Sequence, residues 1–265
     1  TLTERRRDGE VVGHRVNNEE ELRTLTEMFR HMELAVDGDI YRQAVERVDG
    51  RGLVGVMAPT SSSLQRLSQH DMGVMNLWYA MADYPELVEE AMAVYQDKLQ
   101  EAYDRLAEFD ADVYYQGENT STSTISPEYY RKYSVGQIRQ FTDAARAAGK
   151  PAVVHMCGLL KNLMPIFPET GLHGIDCLSA PPVGDCELLY AYEVMGDDFF
   201  CTGRFGSTLW VGKSRERIME NLSRVIPHEL YREHPFVMIV TTDEAEVSAG
   251  QWRLLSDCIR AYGQA

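Results

Sequence analysis

His155 and Cys157 stand two residues apart at the end of an apolar run, Pro151-Ala152-Val153-Val154-His155-Met156-Cys157-Gly158. The run reads as a short buried strand, and Gly158 releases the backbone into a loop. Side chains two apart on a strand share a face, so the imidazole and the thiol project together. Nitrogen and thiolate donors of this kind suit zinc. Two donors are the minimum of a metal site, and the pair has a plainer reading as a packed cysteine beside a hydrogen-bonded core histidine. Three other positions carry chemistry. Glu118, just beyond a second strand, is placed for general-acid work or for a substrate contact. Tyr114 and Tyr115 alternate along that strand, one toward the interior and one toward the helices, and either can line a pocket. Arg204, at the end of a further strand, can hold a carboxylate bidentately or pair with one of the chain's own acidic residues. Cys177, Cys186 and Cys258 read as packing residues.

These residues need a scaffold that gathers strand ends. Continuous apolar runs predict strands at 52–58, 111–115, 151–157, 174–178, 198–202 and 236–240. Helical periodicity lies between them. Glu19 to Asp49 reads as two helices broken at Asp37-Gly38-Asp39, and a mixed helix spans about 73–83. Pro85 opens a long helix on which Val88, Met92, Tyr95, Leu99, Ala102 and Leu106 form one stripe. Ser126-Pro127 opens a helix reaching Ala148, and further helices are predicted at about 159–170, 185–195 and 214–225, with a last one around Trp252 to Tyr262. Short apolar strands alternating with helices require a parallel sheet covered on its faces. The polar clusters (Pro59 to Ser63, Gln116 to Asn119, His155 with Cys157, Arg204, Asp243 with Glu244) all follow strands, as in a (β/α) barrel with its site at the carboxyl ends. No strand leads into GxGxxG, so a dinucleotide cradle is missing. Eight strands close such a barrel and six are predicted. Residues 1–18 form a polar segment with a Val11-Val12 pair suited to a small surface strand, and 19–265 form one barrel domain.

Acidic residues outnumber Lys and Arg by 41 to 26, a formal charge of −15, which argues against nucleic-acid or anionic-membrane surfaces. No apolar run is long enough for a membrane span, and no signal peptide opens the chain. Five cysteines without CxxC spacing fit a reducing, cytoplasmic setting.

The order of motifs from about residue 17 onward resembles the uroporphyrinogen decarboxylase superfamily. Asp83-Tyr84-Pro85-Glu86-Leu87-Val88 is similar to its D-P-E-L-V helix, and Ile125-Ser126-Pro127-Glu128 to its L-S-P-E segment. Val154-His155-Met156-Cys157-Gly158 is similar to the H-x-C-G string of its cobamide-dependent methyltransferases, and Cys201-Thr202-Gly203-Arg204 stands where the seventh barrel strand carries G-N. The resemblance implies a (β/α)8 TIM-type barrel of which this chain lacks the first one or two βα units. It also implies zinc held by His155, Cys157 and a third ligand after the last strand. That ligand is often cysteine, and its position falls on Glu244, with Asp243, Cys201 and Glu118 in reserve. A carboxylate there leaves zinc a stronger Lewis acid than a third donor of thiolate would. Glu244 also has a plain reading as a solvated loop carboxylate.

The function this implies is a zinc-dependent methyltransferase moving a methyl group between a small methylated substrate or thiol and a corrinoid (cobamide) carried by a partner protein. Two alternatives stay open. One is a metal-free decarboxylase of the uroporphyrinogen type. Against it, the arginine-rich amino-terminal segment is absent, Thr241-Thr242-Asp243-Glu244-Ala245 replaces the expected histidine loop, and the acidic chain suits a polycarboxylate poorly. The other is a non-catalytic or incomplete barrel, whose open strand edges would favour a homodimer.

Overall fold

All six strands expected from apolar runs form, and helices or helical turns connect them in chain order. The computed structural model describes residues 2–7, 10–34, 37–59 and 61–264; Thr60, in the loop after the first barrel-type strand, lies outside them. The chain divides into two compact units.

The first unit comprises residues 1–119, 128–153 and 169–172. It opens with an antiparallel hairpin of β1 (Arg5–Arg7) and β2 (Glu10–Gly13), which takes in the Val11-Val12 pair. Helix α1 (Glu19–Arg30) is capped by Asn18, whose side chain accepts the Glu21 N–H. Asp37 caps α2 (Gly38–Val48) in the same way. Strand β3 (Gly55–Met57) follows, then α3 (Ser63–Arg66), a π turn (Leu67–Asp71), α4 (Val74–Asp83) and α5 (Pro85–Tyr103). The stripe expected on α5 is buried in full, with Leu106 completing it on the turn that follows. Val88, Met92, Leu99 and Leu106 each contribute about 1.5–3 kcal/mol. Phe29 of α1 packs on Tyr95 at a ring separation of 4.7 Å. Strand β4 (Val113–Gly117) pairs with β3 in parallel.

The helix expected from 126 to 148 is interrupted. It consists of α6 (Pro127–Tyr129), a π turn (Tyr130–Ser134) and α7 (Val135–Ala147). None of the residues of helix α2 is buried. Ile40, Val45, Leu53 and Met57 are exposed on α2, β3 and their connection. An apolar hollow of about 420 Å³ lies there, lined by Leu34, Ile40, Tyr41, Val56, Met57 and Phe109 among others.

Strand β5 (Ala152–His155) begins in the first unit and ends in the second. The second unit holds residues 120–127, 154–168 and 173–265. Its elements are β6 (Gly174–Leu178), α8 (Leu188–Met195), β7 (Phe200–Phe205), α9 (Arg215–Val225), α10 (His228–Glu233), β8 (Phe236–Val240) and α11 (Ala249–Gln264). Ser214 caps α9 through the Arg217 N–H. Tyr262 of α11 donates to the Ile226 carbonyl at 2.7 Å, and Trp252 packs on Trp210. The helix expected at 159–170 does not form: the segment is turns followed by a 3₁₀ stretch, Met164–Thr170. Pro165 and Pro168 remove two donors that an α-helix would use there.

The strands run in the order β3-β4-β5-β6-β7-β8 in one parallel sheet. Strands in chain order with helices between them are successive βα units of a (β/α) barrel, and six are present among the described residues. Every candidate group identified from the sequence sits on or just after a strand.

Candidate active site

His155 ends β5 and Cys157 follows two residues later; both are half-buried. Their side chains are hydrogen-bonded to each other. Gly158, next in the motif, is fixed by crowding. A Cβ there would lie 2.3 Å from Ser121 Cβ and 2.8 Å from the Thr120 carbonyl, so only glycine fits without moving that backbone. The Ser121 hydroxyl accepts the Leu159 N–H at 3.0 Å, and Thr122 N–H donates to the Leu159 carbonyl at 2.9 Å. The Ser/Thr loop at 120–124 thus holds the backbone that carries Cys157 out of the strand.

Asp176 on β6 approaches His155 Nδ1 to 2.7 Å through Oδ2. This bond, and then the one to Cys157, raises the imidazole from its ordinary value to about 9. The bond from His155 lowers the Cys157 thiol, against burial, and the nearby Arg204 charge acts in the same direction. Imidazolium and thiolate therefore favour each other, as in cysteine sites activated by an adjacent histidine.

Arg204 on β7 is engaged. Its guanidinium pairs with Asp243 and its Nε donates to Thr241 Oγ1 at 3.1 Å. Asp243 also accepts the Thr241 hydroxyl at 2.8 Å, and the Ser207 N–H and hydroxyl at 2.9 Å each. Burial pushes the Asp243 carboxyl up, but these donors together hold it well below the usual carboxylate range. Asp243 and Glu244 both take left-handed backbone, at φ 48° and 68°. Glu244 is exposed. Among the described residues, no three His, Cys, Asp or Glu side chains are grouped to hold a metal. Glu244, the third ligand inferred from sequence, is therefore not gathered with His155 and Cys157.

In the first unit, Glu118 is fully buried. Its two oxygens accept the Ser62 N–H at 2.8 Å and the Ser62 hydroxyl at 2.6 Å. So held, Glu118 is an anchor for the start of α3 rather than an exposed acid. Burial, and then the Glu118 charge, push the phenols of Tyr103 and Tyr130 upward. Tyr114 is also fully buried, and its hydroxyl lies 2.8 Å and 2.9 Å from the carbonyls of Leu106 and Phe109. That takes Tyr114 out of the substrate-binding set. Tyr115, on the opposite face of β4, is half-buried.

Sequence reasoning missed Asp176 and Thr202. A lone aspartate inside the apolar run Gly174-Ile175-Asp176-Cys177-Leu178 was the available signal, because a carboxylate in a buried strand needs a partner. Thr202 gave none, since threonine is common in strands.

The chain matches the family profile described as uroporphyrinogen decarboxylase (URO-D) over residues 7–240. It belongs to the uroporphyrinogen decarboxylase family. No curated protein matches it in sequence. Among solved structures it is similar to a methyltransferase from Methanosarcina mazei, with TM-score 0.63 and 14% identity over 97% of this chain and 73% of that one. A looser likeness, TM-score 0.44 at 12% identity, is to the tandem GH20 catalytic modules of the pneumococcal exo-β-D-N-acetylglucosaminidase StrH, over 87% of this chain and 65% of that one. At these identities the likeness is one of fold. Among the described residues no helix is long and apolar enough to cross a membrane.

The donor chemistry of the site accommodates zinc in part. Imidazole and a thiol of lowered pKa are zinc donors, and a carboxylate on Nδ1 leaves Nε2 as the ring nitrogen a metal would take. The third donor is not in place.

Proposed function

We propose that this member of the uroporphyrinogen decarboxylase family is a methyltransferase working in the cytoplasm. It would move a methyl group between a small methylated compound or thiol and a corrinoid carried by a separate protein. The observation that carries this reading is the His155–Cys157 pair at the end of β5 with Asp176 on the imidazole. The fold shared with the M. mazei methyltransferase supports it.

His155 Nε2 and the Cys157 thiolate are the proposed zinc donors; Glu244, the third donor inferred from sequence, is not grouped with them. Zinc, when bound, would supply a Lewis acid that lowers the charge developing on the heteroatom of the methyl donor or acceptor. Asp176 holds the Nδ1 proton and so sets which ring nitrogen faces the metal. Arg204 lies near enough to favour the thiolate, while its pairing with Asp243 fixes where that positive charge sits. A chain of formal charge −15 would meet its protein partner through specific contacts rather than a basic surface.

Elemental analysis of the purified protein beside a His155→Ala/Cys157→Ala double variant tests this. The expected result is about one zinc per chain in the parent and none in the variant, since the parent site has few donors to lose. A parent protein that holds no zinc, even after zinc is added, would overturn the reading and leave the metal-free decarboxylase in front.

A further inference from the structure

We infer that Thr202 is a positioning residue for His155, acting through Asp176, and that the bulge in β6 at Cys177 exists to set the direction of that contact. The inference rests on the zinc-site reading of His155 and Cys157, but its geometry stands independently of any metal.

The register of β6 against β7 shows how the contact is built. Ile175 faces Cys201 and Leu178 faces Gly203, so three steps on β6 match two on β7 and one extra residue is accommodated. Cys177 takes up the irregularity at φ 66°, a left-handed conformation that residues with a side chain rarely adopt. The Cys177 N–H is thereby turned to the side chain opposite, and it donates to Thr202 Oγ1 at 2.7 Å. A backbone amide can only donate. The Thr202 hydroxyl, acting as acceptor there, directs its own proton to Asp176 Oδ1 at 2.5 Å. The other Asp176 oxygen faces His155 Nδ1 at 2.7 Å. Three adjacent strands, β7, β6 and β5, thus contribute Thr202, Asp176 and His155 to one polar rung of defined polarity. Thr202 is only 8% exposed, so water does not readily stand in for its hydroxyl. Without that hydroxyl, Asp176 keeps its charge but loses the donor on Oδ1, and the carboxylate that orients the imidazole is held less firmly.

A purely structural Thr202 would serve the fold and nothing else. The test therefore compares Thr202→Val, which keeps the shape and removes the hydroxyl, with Thr202→Ser, which keeps the hydroxyl. Cys177→Gly serves as a control that relaxes the backbone but retains the N–H. Two readouts are used on the full chain. The first is zinc affinity by competition with a chromophoric chelator. The second is the His155 Nδ1 proton in metal-free, ¹⁵N-histidine-labelled protein, observed as a slowly exchanging downfield resonance and assigned with His155→Ala.

Thr202→Val is expected to bind zinc about tenfold more weakly, the lower end of what losing a ligand's supporting partner costs, and to lose the protected proton. Thr202→Ser and Cys177→Gly should keep both. If Thr202→Val retains parental affinity and the protected resonance, or if Thr202→Ser loses them as fully as Thr202→Val does, the inference is overturned. Should Thr202→Val fail to fold, Thr202→Ala takes its place under the same criteria. If the parent binds no zinc, the function proposed above fails while the metal-free resonance still decides the role of Thr202.

Discussion

In chelator-treated protein at neutral pH, iodoacetamide should alkylate Cys157 and leave the other four cysteines largely unmodified. Two physical differences separate them. Cys157 is half-buried, whereas Cys177, Cys186, Cys201 and Cys258 are buried. The Cys157 thiol is lowered from its ordinary 9.0 by the bond from His155, while burial pushes Cys177 up to about 11 and Cys186 to about 12, and raises Cys201 and Cys258 too. Against Cys177 and Cys186, this opposite displacement makes a difference of about a hundredfold or more in thiolate fraction. The lower nucleophilicity of a more acidic thiol returns roughly tenfold of that, and exclusion of reagent from the buried sites widens the gap again. Peptide mass spectrometry against time would give the ratio. His155→Ala should slow modification of Cys157 on the order of tenfold, because the imidazolium that favours the thiolate is gone. Added zinc should protect Cys157 if it is a ligand. Equal labelling of Cys157 and Cys177 in the parent would mean that the imidazole does not activate the thiol.

Glu118→Ala should lower stability by about 3 kcal/mol, the sum expected when two buried donors lose their acceptor. The Ser62 N–H and hydroxyl both point at this carboxyl group, 56 residues away in sequence. Both residues are buried, so water cannot take over the bonds at little cost. Glu118→Gln keeps an acceptor for the Ser62 amide and should lose about half as much. Urea denaturation of the three proteins, read as a change in midpoint at constant slope, is the measurement. An alanine variant as stable as the parent, but with impaired methyl transfer, would restore Glu118 to a direct chemical role.

The fold was legible because its signals are local. Strands β6 and β8 occupy the spans their apolar runs predicted, 174–178 and 236–240, and Pro235, which has no N–H to donate, stands just before the second. The α5 stripe needed only periodicity. The departures came where local composition and backbone geometry disagree. Tyr130–Ser134 has ordinary helical composition but forms a π turn, and 159–170 has helical content but two prolines within it. The site was legible only in its dipeptide spacing. His155 and Cys157 meet because strand periodicity is short-range, whereas Asp176 and Thr202 join them through strand register across 21 and 26 residues. Glu118 was correctly placed just past its strand. Its burial depends on a serine in another loop, which no motif announces. Asp243 and Glu244 were read as a polar loop, and two successive left-handed residues of non-glycine type are not visible in composition at all.

Helix α2, with no residue buried, has a consequence for how the protein breathes. Unwinding 38–48 exposes little apolar surface that the native state was hiding, so the free energy of that local opening is set by its own backbone bonds and the Asp37 cap. Amide protons of α2 should therefore exchange with solvent through small fluctuations, hours ahead of those on α5, whose stripe must be pulled from the core before its bonds can open. A protease added at low concentration would find the same segment first, and the unit around α5 would outlast the cut.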